Sequence, residues 1–146
     1  MNQETRNHLW EVARTLRDAP REERISVCAG AAATLANRLE ALGVTGESFV
    51  SFTLFLVRLG VSADRSLDQE EYDLWHEVFN LPLSPEEFYA ATNGGADPEF
   101  IASMDALIDS FDSETKTAAC VVVMSFIVAD GEVTPEEFDL LVKLFD

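Results

Sequence analysis

A chain of 146 residues with 47% apolar side chains can build a real hydrophobic core, which sets aside disordered and fibrous classes. Ten Lys and Arg stand against 27 Asp and Glu, a formal net charge of −17, and the imbalance is lopsided. Residues 1–65 hold eight arginines and eight acids, whereas residues 66–146 hold two lysines and nineteen acids, a composition that disfavours nucleic acid and anionic membrane as partners. A cation or a basic protein surface suits the second half better, and solubility alone is the plainer use of such charge.

In chain order, Leu9, Val12, Ala13 and Leu16 recur at helical spacing over residues 3–17, with Arg6, Glu11, Arg14 and Arg17 on the other face. Asp18-Ala19-Pro20 breaks that helix. Pro20 fits the first turn of a second helix, which runs to about Leu42 and stops at Gly43. Its middle, Val27 to Ala36, is mostly small residues, so a neighbour can approach closely. Thr45 or Gly46 opens a third helix through Phe49, Phe52, Phe55, Leu56 and Leu59 to about Ser62. Asp68 then caps a fourth, to about Asn80, with Glu71 at its third position. Ser84-Pro85-Glu86-Glu87 starts a short fifth helix that ends at Asn93-Gly94-Gly95. Asp97-Pro98-Glu99 starts a sixth, with Phe100, Met104, Leu107, Ile108 and Phe111 inward. Ser113 starts a seventh, through Val121, Val122, Met124, Phe126 and Ile127 to Ala129, and an eighth runs from Pro135 to Phe145.

No segment alternates at period two with hairpin punctuation, and no Gly/Ser linker divides the chain. The expected fold is all-α, a compact bundle of about seven to eight short helices in one domain over residues 1–146. Residues 1–45 supply N-terminal helices, 46–93 a first motif half and 97–146 a second. Cys28 and Cys120 lie in apolar surroundings without CxxC or Cys/His spacing, which reads as buried free thiols in a reducing compartment. The N-terminus has no basic and apolar leader pattern, and the apolar runs near residues 49–61 and 118–129 are too short to span a bilayer. A soluble cytoplasmic protein with no membrane insertion is the expectation.

The most informative stretch is Ala129-Asp130-Gly131-Glu132-Val133-Thr134-Pro135-Glu136-Glu137-Phe138, the end of one helix, a tight turn and the start of the next. It has an earlier copy. Residues 63–79 and 129–145 agree at seven of seventeen positions: Ala63/Ala129, Asp64/Asp130, Glu70/Glu136, Glu71/Glu137, Asp73/Asp139, Leu74/Leu140 and Phe79/Phe145. The chain therefore reads as an internally duplicated helix–turn–helix. Thr134 as N-cap, Pro135 at N1 and Glu137 at N3 make a capping box, so helix starting explains all of them. Ser84 to Glu87 repeats that chemistry with no preceding Asp-Gly.

Asp130 and Asp64 are less easily explained. Each follows a helix C-terminus, where a carboxylate is disfavoured by about 0.3–1 kcal/mol. Each calls for a partner: a backbone N–H, an arginine or a bound cation. An ordinary EF-hand does not fit, because counting back from Glu137 puts Phe126 and Val128 at the first two ligand positions. In the first copy those positions hold Gly60 and Ser62.

Preceded by an apolar helix and repeated upstream, the Ala129–Phe138 stretch resembles the tellurite-resistance TerB family and its TerB-like relatives. The resemblance is good over residues 113–146, fair over about 48–93 and weak before residue 45. It implies an all-helical cytosolic bundle linked to tellurite resistance and stress response, with a metal site built from acidic turn residues. Carried onto this chain, the metal candidates are Asp130 and Glu137 in the second motif and Asp64 and Glu71 in the first, with Glu132 a lesser one. The first motif departs from the pattern: Arg65 replaces the glycine, Ser66 the acid and Gln69 the proline. Arg65 is itself a candidate to pair with Asp64 or to take the cation's place.

If the two turns pack together, four carboxylates converge, and two of them about 5 Å apart repel by roughly 3 kcal/mol at an effective dielectric of 20. Such a cluster needs a cation, a raised pKa or an arginine. Oxygen-only ligands favour Mg, Ca or Mn over Zn. Neither His8 nor His76 has a motif partner, and no phosphate loop, nucleophile elbow or HExxH is present, so no catalytic residue and no enzyme is expected. The leading expectation is a non-enzymatic module whose acidic turns bind a divalent cation. Its rival is a protein-interaction scaffold whose acidic C-terminal half docks a basic partner without metal. A hydrolase using paired carboxylates is a third and lesser reading.

Overall fold

The computed structural model describes residues 2–60, 69–93, 97–128 and 133–145. Among them the chain forms eight helices and no strand: α1 (Gln3–Asp18), α2 (Arg21–Ala41), α3 (Glu47–Leu59), α4 (Gln69–Phe79), α5 (Pro85–Asn93), α6 (Pro98–Asp109), α7 (Ser113–Val128) and α8 (Pro135–Leu144). The all-α expectation holds. The helices of the expected duplication are α3–α4 and α7–α8; the connecting stretches, 61–68 and 129–132, lie outside the described residues.

Helix α7 is apolar on every side from Ala118 onward, and a helix without a polar face has to be central. It packs against α2, α1 and α3, and everything from Ala118 to Val128 is buried. The α2–α7 packing is the most extensive in the fold, as the small residues between Val27 and Ala36 lead one to expect. Two buried hydroxyls on these helices are satisfied locally. Ser125 donates to the Val121 carbonyl at 2.9 Å, and Thr53 to that of Val50 at 2.7 Å. Thr53 also accepts the Trp75 indole N–H at 3.0 Å, which ties α4 to α3 inside the core.

The helix ends refine the sequence reading. Pro20 is the N-cap of α2, with extended ψ of 157°, and lies outside its first turn; its carbonyl still accepts the Arg24 N–H at 3.1 Å. Helix α3 stops at Leu59, short of Ser62, because the Gly60 N–H closes the last turn onto Val57 and Leu56. A Cβ on Gly60 would lie 3.0 Å from both the Phe126 Cβ and the Val123 carbonyl of α7, so glycine permits that approach. Phe111, expected on the sixth helix, sits just beyond its end and is buried edge-on against Phe52, ring centroids 5.9 Å apart.

The link from α4 to α5 is held by Tyr72, whose hydroxyl donates to the Leu83 carbonyl at 2.6 Å. Trp75 and Phe88 pack beneath it with centroids 5.2 Å apart. Helix α8 lies along α1, where Trp10 meets Phe138 edge-on at 4.8 Å and the Arg6 guanidinium both covers Phe138 and pairs with Asp139.

Candidate functional site

Of the four metal candidates, Glu71 and Glu137 are described; Asp64 and Asp130, together with Glu132 and Arg65, lie outside the described residues. The two glutamates hold equivalent places in the repeat, yet their surroundings differ. Glu137 closes the capping box at the start of α8: the Thr134 N–H donates to its carboxylate at 3.1 Å, and its own N–H donates to the Thr134 hydroxyl at 3.1 Å. One of its oxygens is thus engaged in helix starting, as the motif chemistry implies. Glu71 is only 1% exposed, and a carboxylate so buried requires compensating hydrogen bonds or positive charge. Among the described residues no group of three or more His, Cys, Asp or Glu side chains is arranged to hold a metal ion.

The close approach of Gly60 to Val123 and Phe126 sets the C-terminal end of α3 against the C-terminal part of α7. Gly60, the last described residue after α3, therefore lies beside the last two turns of α7.

Among the described residues, three of the surface depressions lie between helices. A cavity of about 130 Å³ separates α2 from α4, lined by Arg21, Arg24 and Ile25 on one side, Glu70, Asp73 and Leu74 on the other, and Ser125 of α7 at its base. Arg21 crosses it to bond Glu77 at 2.9 Å, and that hydrogen bond raises the guanidinium pKa further. A second groove, about 340 Å³, runs between α1 and α8 beside Arg6, Trp10, Phe138 and Asp139. The third, about 420 Å³, lies between α6 and α8 and is lined by Asp105, Ile108, Asp109, Leu140 and Lys143.

Leu140, which lines the third groove, and Ile101, elsewhere on α6, are large exposed apolar side chains. Leu140 is 68% exposed and Ile101, one turn before Asp105 on α6, is 39% exposed. Neither residue stood out in the sequence reading, although the signal was there. Phe138, Leu141, Val142 and Phe145 mark the core stripe of α8 at positions i, i+3, i+4 and i+7, and Leu140 falls on the opposite side of the wheel.

Cys28 and Cys120 are free and fully buried, as expected. Burial pushes each thiol up to about 12, so both stay protonated and unreactive at neutral pH. His8 and His76 are exposed, and His76 rests beside Tyr72 with ring centroids 5.6 Å apart. No helix among the described residues is long and apolar enough to cross a membrane. No protein-family model matches the chain, and neither a curated protein nor a solved structure matches it.

Proposed function

We propose that the chain is a non-enzymatic, acidic helical interaction module that docks a basic protein surface through its C-terminal half. The observation that carries this reading is a pair of exposed apolar side chains, Leu140 and Ile101, on helices whose outer faces carry Glu99, Asp105, Asp109, Glu136 and Asp139. Uncovered apolar area within a field of one sign is the composition of a docking surface for the opposite sign. The test is calorimetric titration with a lysine- and arginine-rich peptide at rising salt. Binding should weaken steeply with ionic strength and fall again when Glu132, Glu136 and Asp139 are reversed to lysine. Salt-independent binding, or none at low salt, overturns the reading.

A second reading is favoured by the approach of α3 to α7 at Gly60. In it the chain is a TerB-like module of tellurite resistance or stress response, with Asp64, Glu71, Asp130 and Glu137 sharing a divalent cation. Calorimetric titration with Ca, Mg and Mn tests this. A vacant acidic cluster should gain stability on Asp130→Ala without metal and lose its metal-induced stabilisation. An absence of heat and of any melting shift in excess metal removes the cation.

A further inference from the structure

Within this one chain the same helix face occurs twice, once covered and once bare. The sequence match sets Glu70, Asp73 and Leu74 of α4 against Glu136, Asp139 and Leu140 of α8. On α4 that face is occupied: α2 packs on it, bringing Arg21, Arg24 and Ile25 over Glu70, Asp73 and Leu74. Leu74 is consequently 6% exposed, whereas its counterpart Leu140 is 68% exposed. Among the described residues α1 reaches one edge of this face on α8, where Arg6 pairs with Asp139, but no helix covers Leu140 as α2 covers Leu74. A groove of about 420 Å³ lies there instead, with Asp105, Ile108 and Asp109 of α6 as its far wall. Ile101 extends that wall one turn toward the N-terminus of α6, since positions i, i+4 and i+7 share a face.

We propose that the groove between α6 and α8 is a docking site for a basic amphipathic helix of a partner protein, which covers Leu140 as α2 covers Leu74. The inference rests on the interaction reading above and gives it a place and a partner chemistry. The apolar stripe of the incoming helix would lie on Leu140 and Ile101, and its arginines would face Asp105, Asp109 and Glu136. Lys143 stands where α4 has Glu77, the residue that pairs with Arg21. The partner's arginines therefore belong at the Arg24-like position, with a neutral or acidic residue facing Lys143. Charge favours a basic partner over the rivals: the acidic half of a second copy, residues 66–146 with two lysines and nineteen acids, would be repelled, and an anionic lipid surface meets the same repulsion.

The test uses the full chain and a synthetic amphipathic helical peptide with a leucine stripe flanked by arginines, followed by titration calorimetry. The controls are a scrambled peptide of the same composition and the chain variant Leu140→Glu. Because Leu140 is largely exposed, that variant should melt with the wild type, and Ile101→Glu serves as an independent second variant. The expected result is binding of the stripe peptide that Leu140→Glu weakens by about tenfold to a hundredfold, with the scrambled peptide weaker than either. If stripe and scrambled peptides bind alike, or if Leu140→Glu and Ile101→Glu change nothing, the groove is not the site although the acidic docking reading stands. If no basic peptide binds at low salt, both fail. If sedimentation shows a dimer that Leu140→Glu dissolves, the occupant is a second copy and the proposal is overturned.

Discussion

Helices α4 and α8 begin from closely similar sequences and end in different surroundings. Their seventeen-residue windows agree at seven positions, both place an acid pair in the first turn, and both carry Leu after Asp. Yet α4 buries Glu71, Tyr72, Leu74 and Trp75, a wide arc of about half the helix circumference, because α2 and α5 both pack on it. Helix α8 buries one stripe, Phe138, Leu141, Val142 and Phe145, and leaves the opposite side open. The local sequence fixes where each helix starts. How many of its faces are buried depends on which distant segments come back to it, and a seventeen-residue match carries no information about those.

The comparison breaks most visibly under core substitution. Trp75→Ala removes a fully buried ring and its N–H bond to Thr53, so it should cost about 3–5 kcal/mol in urea unfolding. Leu74→Ala should cost about 2–4 kcal/mol by the same measurement, near the lower part of the range for buried leucine because Leu74 lines a cavity already. A loss below about 1 kcal/mol at either position would mean that α4 is not wrapped as described. Next in size is Gly60→Ala. Its new Cβ would stand 3.0 Å from the Phe126 Cβ and the Val123 backbone, a backbone neighbour that cannot swing aside. Overpacking of that kind should lower stability by about 1–3 kcal/mol. An unchanged melting temperature would show that α3 and α7 separate easily.

Much of this architecture was readable beforehand, for physical reasons that differ from place to place. Helix starts were plain because capping chemistry is local: Thr134 with Glu137 and Ser84 with Glu87 form the reciprocal bonds their spacing implies. The apolar run of α7 was plain as a helix, while its central place is what the packing of α1, α2 and α3 around it adds. Helix α3 ends at Leu59, and the tertiary approach of Gly60 to α7 just beyond it is something no local pattern encodes. The site was less readable. Glu137 was expected both as a cap and as a ligand, and the cap is what its hydrogen bonds describe. The burial of Glu71 and the bareness of Leu140 depend on neighbours far away in sequence, so motif matching treated unlike positions as alike.

Smaller effects sharpen the same contrast at the helix starts. Thr134→Ala should cost about 1 kcal/mol by breaking one half of the α8 box, measured by thermal or urea unfolding. Asp112 caps α7 by accepting the Thr115 N–H at 2.8 Å. Hydrogen bonds from the Thr115 side chain and backbone hold its carboxyl below the ordinary carboxylate range. A lowered folded pKa contributes stability that is present above the unfolded value of about 4 and is lost as pH falls through the folded one. Asp112→Asn keeps a capping oxygen but cannot ionise. Wild type should be slightly the more stable at neutral pH, and the difference should close as pH drops below about 4. A difference that stays constant down to pH 2 would assign the effect to the hydrogen bond alone.

The smallest expected change is the one that distinguishes the two leucines. Leu140→Ala removes a side chain that is mostly in water already, so its unfolding free energy should stay within about 0.5 kcal/mol of wild type. Leu74→Ala, at the matching position of the repeat, should cost several times more. The ratio of the two losses measures the covering helix directly, because the residue type, the preceding aspartate and the helix register are shared. If Leu140→Ala proved as costly as Leu74→Ala in the isolated chain, something in the chain itself would already cover α8, and the groove would have no vacancy for a partner. If it is silent alone but costly in the presence of the arginine-flanked peptide, the bare face of α8 is the counterpart of the face that α2 covers on α4.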